Sequence, residues 1–256
     1  MFRKPLFLLA AAGVLALTAC GPFDSSSGEL NNGRFSYLCI DSSDTTCDGF
    51  PGNTALPDRI AVGGAFDLEY AGDTTGSSPV QVQPASETMI SDASGHLKFL
   101  VPGIGAMLAR NTSGVVADFV HLRGASVDHL DVAGPSSTDS VTTVEMTTDD
   151  EVILQVAAKD AGGSRLAGAL PYAWSSSSDT IVSLNGLGPK NRATLTGVAP
   201  GTATVEVTLP SGLKKSVLIT VTQGNTSGSS GSSSSGEGGA GGGGTTAGAG
   251  GAGGGK

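Results

Sequence analysis

The chain has 256 residues, of which only 14% are charged, and its formal net charge is -9. Beyond residue 20, basic residues cluster only at Lys214-Lys215 and at Lys190 with Arg192, and nucleic-acid binding needs a broader basic footprint, so that class is excluded. Forty glycines, and a middle rich in Thr, Ser and Val, favour strands and turns over helices, because β-branched side chains suit a pleated surface.

Arg3 and Lys4 form a positive start, and Leu6 to Leu17 is an apolar run of twelve residues interrupted by Gly13. That run is too short to span a bilayer but has the length of a signal-peptide core. It ends in Leu17-Thr18-Ala19-Cys20-Gly21, which resembles the lipobox of bacterial lipoproteins. The resemblance implies a signal peptide over 1–19, cleaved before Cys20, and lipidation of Cys20. An ordinary signal peptide with an incidental Cys, or an uncleaved anchor, is the alternative. Cleavage removes two basic residues and leaves 12 basic against 23 acidic, a net charge near -11. Two or three acyl chains hold a protein stably, each buried CH₂ contributing about 0.8 kcal/mol. The membrane is therefore an expected partner, reached through the lipid. In Gram-negative lipoproteins, Asp after the Cys is the inner-membrane retention signal; Gly21 stands there instead, which implies the outer membrane. Residues 20–33 read as the lipidated Cys and a flexible tether with a reach of about 20 Å.

The foldable body, roughly 34–222, fits two domains of about 90 to 100 residues. The first is expected over 34–132. Near its start lie Cys39 and Cys47, which export places in an oxidising compartment, so a disulfide is expected. Closing so short a loop stabilises by about 2.5 kcal/mol in the chain-entropy account, and the support is expected to go to the first domain alone. A two-Cys metal site lacks further ligands nearby. Asp41, Asp44 and Asp48 bracket the pair. Clustered carboxylates can hold Ca²⁺, but the Asp-x-Asp-x-Asp-Gly order is missing, so a solvated acidic loop is the expectation. His96, His121 and His129 fit no helical zinc spacing. No metal and no cofactor are expected.

An internal repeat organises the rest. In the first copy, Ile60 to Tyr70 reads as an opening strand, Ser86-Glu87-Thr88-Met89 as a turn, and Pro102-Gly103 and Ser113-Gly114 as turns eleven residues apart. In the second copy, Glu151 to Val156 is the opening strand. Pro200-Gly201 and Ser211-Gly212 repeat the eleven-residue spacing at an offset of 98. Gly105, Met107 and Ala109 then fall on Ala203, Val205 and Val207. Upstream the offset is 92, placing Ser86 to Met89 on Ser178 to Ile181, and Val82 on Trp174. In the last strand of the first copy the offset turns Phe119 and His121 inward, whereas Val120 and Leu122 form the more apolar face. A one-residue slip exchanges the two sets, and both registers stay open. Gly134 to Thr138 lies in a hinge over 133–140.

Short alternating strands with regular turns describe an antiparallel sandwich. The segments Trp174-Ser-Ser-Ser-Ser-Asp179-Thr-Ile181-Val182, Gly197-Val-Ala-Pro-Gly201-Thr-Ala-Thr-Val205 and Val217-Leu-Ile-Thr-Val-Thr222 resemble a bacterial Ig-like domain of group 2, over 141–222. Gly186 to Asn191 departs from the pattern as a lengthened loop. The expected fold is all-β: two tandem Ig-like antiparallel β-sandwiches, the first divergent, followed by a disordered Gly/Ser/Ala-rich tail over 223–256. Trp174 is expected in the core rather than as a ligand platform.

No catalytic residues emerge. The Ser175 to Ser178 run has no Gly-x-Ser-x-Gly elbow and no His in its domain, and Ser before Asp is turn chemistry. Gly186-Leu187-Gly188 follows no βα unit, so it is no dinucleotide fingerprint. The expected function is that of a non-enzymatic, lipid-anchored cell-envelope protein, with its sandwiches serving as a spacer or adhesion module toward a protein or glycan partner. The alternative is a glycan-binding accessory module, which needs exposed aromatic side chains. Only 5% of the residues are aromatic.

Overall fold

The computed structural model describes residues 26–47, 53–72, 79–93, 95–134, 139–185 and 190–224. The signal segment with Cys20, Asp48, 135–138 of the expected hinge, Gly186 to Gly188 and the tail from 225 onward lie outside the described residues. Every regular element among those described is a strand, as the β-branched composition requires.

The first sandwich comprises β1 (Ser26–Ser27), β2 (Gly33–Leu38), β3 (Asn53–Thr54), β4 (Ile60–Ala61), β5 (Ala65–Gly72), β6 (Val80–Pro84), β7 (Ile90–Ala93), β8 (His96–Phe99), β9 (Gly103–Asn111) and β10 (Val116–Ala125). The second comprises β11 (His129–Ala133), β12 (Thr143–Thr147), β13 (Glu151–Lys159), β14 (Ala173–Ser176), β15 (Val182–Asn185), β16 (Arg192–Gly197), β17 (Gly201–Thr208) and β18 (Lys214–Thr222). The first packs a sheet ordered β1-β2-β5-β8-β7, with β3 on β2, against β4-β10-β9-β6. The second packs β11-β13-β16-β15 against β12-β18-β17-β14. From β2 and β11 onward the orders coincide strand for strand. In each copy one short strand runs parallel to the last strand, β4 beside β10 and β12 beside β18, while the remaining pairings are antiparallel.

The repeat is visible in single bonds. Val82 faces Ala109 and Trp174 faces Val207, as the two offsets require. The Ile90 and Val182 amides both donate to a serine carbonyl, that of Ser86 and of Ser178, at 3.2 and 3.0 Å. Gly114 and Gly212 turn the last hairpin of each copy with φ of 80° and 86°, a conformation that only glycine adopts without cost. Alternation fills the cores: Ala203, Val205 and Val207 of β17 and Val217, Ile219 and Val221 of β18 are buried, with polar residues between most of them facing out. The first core is aromatic, with Tyr37 and Phe66 stacked at 6.1 Å and Phe66 and Phe99 at 6.0 Å. The second is mostly aliphatic, built on Leu154, Leu195 and Ile219. Each large apolar side chain so buried contributes about 1.5 to 3 kcal/mol.

The register of β10 is settled by a bulge. Arg110 pairs with Val116 but Ala109 pairs with Asp118, so one residue is inserted near Ala117. Val120 and Leu122 therefore point inward, and His121 outward. The second hairpin pairs Thr208 with Lys214 and Val207 with Lys215 without a shift. The inserted residue also buries Asp118, whose carboxylate accepts the backbone N–H groups of Leu30, Asn32 and Phe119 at 2.8 to 3.0 Å. This fastens the turn at 28–32 along the open edge of β10, where unpaired strand edges otherwise invite aggregation. The expected tether over 20–33 is thus shorter, since the chain is already paired from Ser26.

The expected boundary also moves. β11 pairs with β13 over His129 to Ala133, so it belongs to the second sandwich rather than to a first domain ending at 132. The segment 133–140 connects β11 to β12 inside that sandwich, where the chain passes from one sheet to the other; it is not a hinge between domains.

Candidate functional site at the joint

The two sandwiches meet through a segment that carries no strand pattern, 164–170 between β13 and β14. It lies against β4 and the start of β5. The Ala61 amide donates to the Ala167 carbonyl at 2.8 Å and the Ala167 amide to the Arg59 carbonyl at 3.0 Å. Ala65 and Ala169 exchange bonds of 2.9 and 2.7 Å. These are sheet-like bonds made across the joint. Small residues allow the approach: a Cβ on Gly64 or on Gly168 would sit 3.2 Å from the other's Cα. Ala167 is wholly buried within the first core and Ala61 within the second, so each sandwich lends a residue to the other's interior. Arg59 pairs with Asp160 at the rim, and the Asp128 amide donates to the Lys159 carbonyl at 2.8 Å.

The disulfide loop closes the joint. Cys39 and Cys47 are bonded, with Cα atoms 5.7 Å apart. Between them, Asp44 is only 3% exposed. One carboxylate oxygen accepts the Tyr37 hydroxyl at 2.6 Å and the Gly168 amide, from the opposite sandwich, at 2.9 Å. The other accepts the Thr46 amide at 2.9 Å and its hydroxyl at 2.7 Å. Thr45 also reaches across, its hydroxyl donating to the Leu166 carbonyl. Burial, and then the Asp44 carboxylate, push the Tyr37 hydroxyl well above its ordinary pKa, which keeps it a donor. The expectation that the disulfide serves the first domain alone is therefore corrected. So is the solvated acidic loop at Asp44: its lone pairs are occupied by donors, which leaves it unsuited to Ca²⁺. Asp41 accepts the Ser43 amide at 2.7 Å.

Within each sandwich an early strand, β2 or β11, lies in one sheet and the short strand β4 or β12 in the other, the two sheets close on a single core, and the last strand is met in parallel by that short strand. Both sandwiches are immunoglobulin-like. Solved structures similar to the chain include domains 4 and 5 of the S-layer protein SbsC, at 15% identity and a TM-score of 0.32, over 64% of this chain and 93% of that one. The Yersinia pseudotuberculosis adhesin InvE matches at 13% identity and a TM-score of 0.32, over 64% of this chain and 56% of its own. The Escherichia coli adhesin FdeC matches at 15% identity and 0.33, over 66% and 62%. The chain thus spans less than two thirds of either adhesin chain. No protein-family model and no curated protein matches the sequence. The Ig-like assignment rests on the strand order.

The other candidate residues are dispersed over the Ig-like pair. His96 pairs with Asp67 at 2.8 Å, His121 with Glu29 at 2.6 Å and His129 with Asp128 at 3.0 Å, each with a different carboxylate. Among the described residues no three His, Cys, Asp or Glu side chains gather as a metal site, and no helix is long and apolar enough to cross a membrane. Ser178 sits in the turn before β15, its hydroxyl on that of Thr180 at 2.9 Å. Trp174 is a correction. It packs against the second core but is only half-buried, because β14 is the outermost strand of its sheet. The fully enclosed aromatic of that Ig-like sandwich is Tyr172, 2% exposed, two residues before the tryptophan.

Proposed function

We propose that the chain is a lipid-anchored cell-envelope protein whose Ig-like pair acts as one stiff, non-enzymatic spacer or adhesion module. Cys20 carries the lipid and the outer membrane is its site, as the Leu17-Thr-Ala-Cys-Gly21 run implies. The second sandwich is of the group 2 bacterial type on the strength of its Trp174 to Val182 and Gly197 to Val205 segments. The observation that carries the spacer reading is the joint: sheet-like bonds, an exchanged alanine on each side and a buried carboxylate bond one sandwich to the other. A spacer transmits position and load only if its units do not pivot, and these bonds oppose pivoting. Lipidation is tested by mass spectrometry of the mature amino terminus, where an unmodified Cys20 refutes it. The spacer role is tested in cells carrying the full chain. Deleting 26–224 while keeping Cys20 and the tail should abolish adhesion to surfaces or neighbouring cells; adhesion unchanged by that deletion removes the role.

A further inference from the structure

We propose that the open edge of the second Ig-like sandwich holds a binding site for a neutral saccharide, centred on Trp174 and Asp179. β14 and β15 are each the last strand of their sheets, so the side chains between them meet no further strand. There the surface sinks into a recess of 450 Å³ lined by Trp174, Ser175, Ser176, Asp179, Ser183 and Leu184. Trp174 stands in the inward register, paired with the fully buried Val207, and backs onto the core. Its indole N–H donates to the Lys190 carbonyl at 3.0 Å, which fixes the ring in its plane.

The polar lining is unspent. The Ser176 hydroxyl accepts the Ser178 amide, and Ser178 and Thr180 bond to each other, so the turn is shaped by its own groups. The Asp179 carboxylate and the hydroxyls of Ser175 and Ser183 make no hydrogen bond or ion pair with other described residues.

A held aromatic face beside an acceptor-only carboxylate and two hydroxyls matches one ligand chemistry well. A pyranose ring offers an apolar face of C–H groups to an indole, and its rim of vicinal hydroxyls donates to a carboxylate. Apolar lining with a few placed polar groups is the common form of small-ligand sites, and a hydroxyl-to-carboxylate bond is roughly twice as strong as a neutral one. Asp179, on a chain of net charge -9, disfavours acidic sugars. The first Ig-like sandwich has Val82 at the equivalent place, so one site per chain follows.

Trp174 is the single tryptophan of the chain, so emission from the full-length protein reports on this recess alone. It is titrated with cellotetraose, mannotetraose and galactotetraose, each to about 10 mM, which covers weak single-site affinities. At least one should give a saturable change with one site per chain. Asp179→Asn, which leaves the exposed turn foldable, should weaken that binding about tenfold, the effect of losing roughly one charge-assisted bond. Trp174→Val, which recreates the first copy, should abolish binding measured by calorimetry. The proposal is overturned if none of the three sugars gives a saturable change. It is equally overturned if Asp179→Asn leaves affinity unaltered, or if only trilysine perturbs the emission, which would mark the recess as a cation or peptide contact.

Discussion

Replacing Asp44 by Ala removes the acceptor for four donors, two of which are buried. The Tyr37 hydroxyl and the Gly168 amide, at 2.6 and 2.9 Å, lose their partner in the interior. The two Thr46 donors lie partly in solvent and can turn to water. A buried donor left unmet costs about 1 to 3 kcal/mol, so two cost roughly 2 to 6. Part is regained because the carboxylate no longer has to be held out of water, which leaves about 3 kcal/mol. In a unit of this size each kcal/mol shifts the midpoint by about 2 to 4 °C, so Asp44→Ala should melt roughly 6 to 12 °C lower. The assay is decisive because of where the reporter stands. Asp44 belongs to the first sandwich and Trp174 to the second, so Trp174 emission followed through a thermal melt measures what crosses the joint. If the Trp174 midpoint stays fixed while circular dichroism shows the first sandwich melting earlier, the joint does not couple the two and the reasoning fails. Asp44→Asn keeps one acceptor oxygen and should fall between.

Breaking the disulfide by Cys39→Ser with Cys47→Ser should cost about 2.5 kcal/mol and, because its loop holds Gly168, should also lower the Trp174 midpoint; a change confined to the first sandwich in circular dichroism contradicts the joint. Gly28→Ala places a Cβ 2.2 Å from the Asp118 carboxylate, and overpacking of this kind costs about 1 to 3 kcal/mol; urea melts at full wild-type midpoint would show that the 28–32 turn is not fastened as described. At high pH, Tyr37 ionises near 10 in the unfolded chain but above that in the fold. Its contribution is intact below about pH 10 and lost as pH rises further, so alkaline denaturation should be blunted in Tyr37→Phe relative to wild type.

What the sequence made legible follows the strength of its periodicity. The 98-residue offset predicted the inward set of β9 and β17 because alternation has period two and both copies keep it. The same offset could not decide β10, since a single inserted residue reverses every side chain after it. Trp174 read as core because the Ig-like resemblance implies an enclosed tryptophan there; that β14 ends a sheet is a fact of strand order, which no local pattern carries. The joint was the least legible part. Ser164 to Leu170 carries no alternation of its own, and its role depends on backbone groups meeting Ala61 and Ala65 about a hundred residues away. Asp44 carried a signal of a kind, an acid two residues before a Thr in a loop closed by Cys, but Asp41 and Asp48 stand beside it in sequence, and its burial comes from the second sandwich.

The five-residue parallel pairing of β12 with β18 decides how the second sandwich meets a pull along the chain. Drawing the start of β12 one way and the end of β18 the other slides two parallel strands past each other, so their evenly spaced bonds are loaded together. An antiparallel hairpin drawn at its open end would give way one bond after another. The first sandwich has only two such pairs, Gly124 with Ile60 and Ala125 with Ala61. Counted in parallel pairs to the last strand, the two halves are therefore unequal, and the sandwich that carries Trp174 is the better braced against shear.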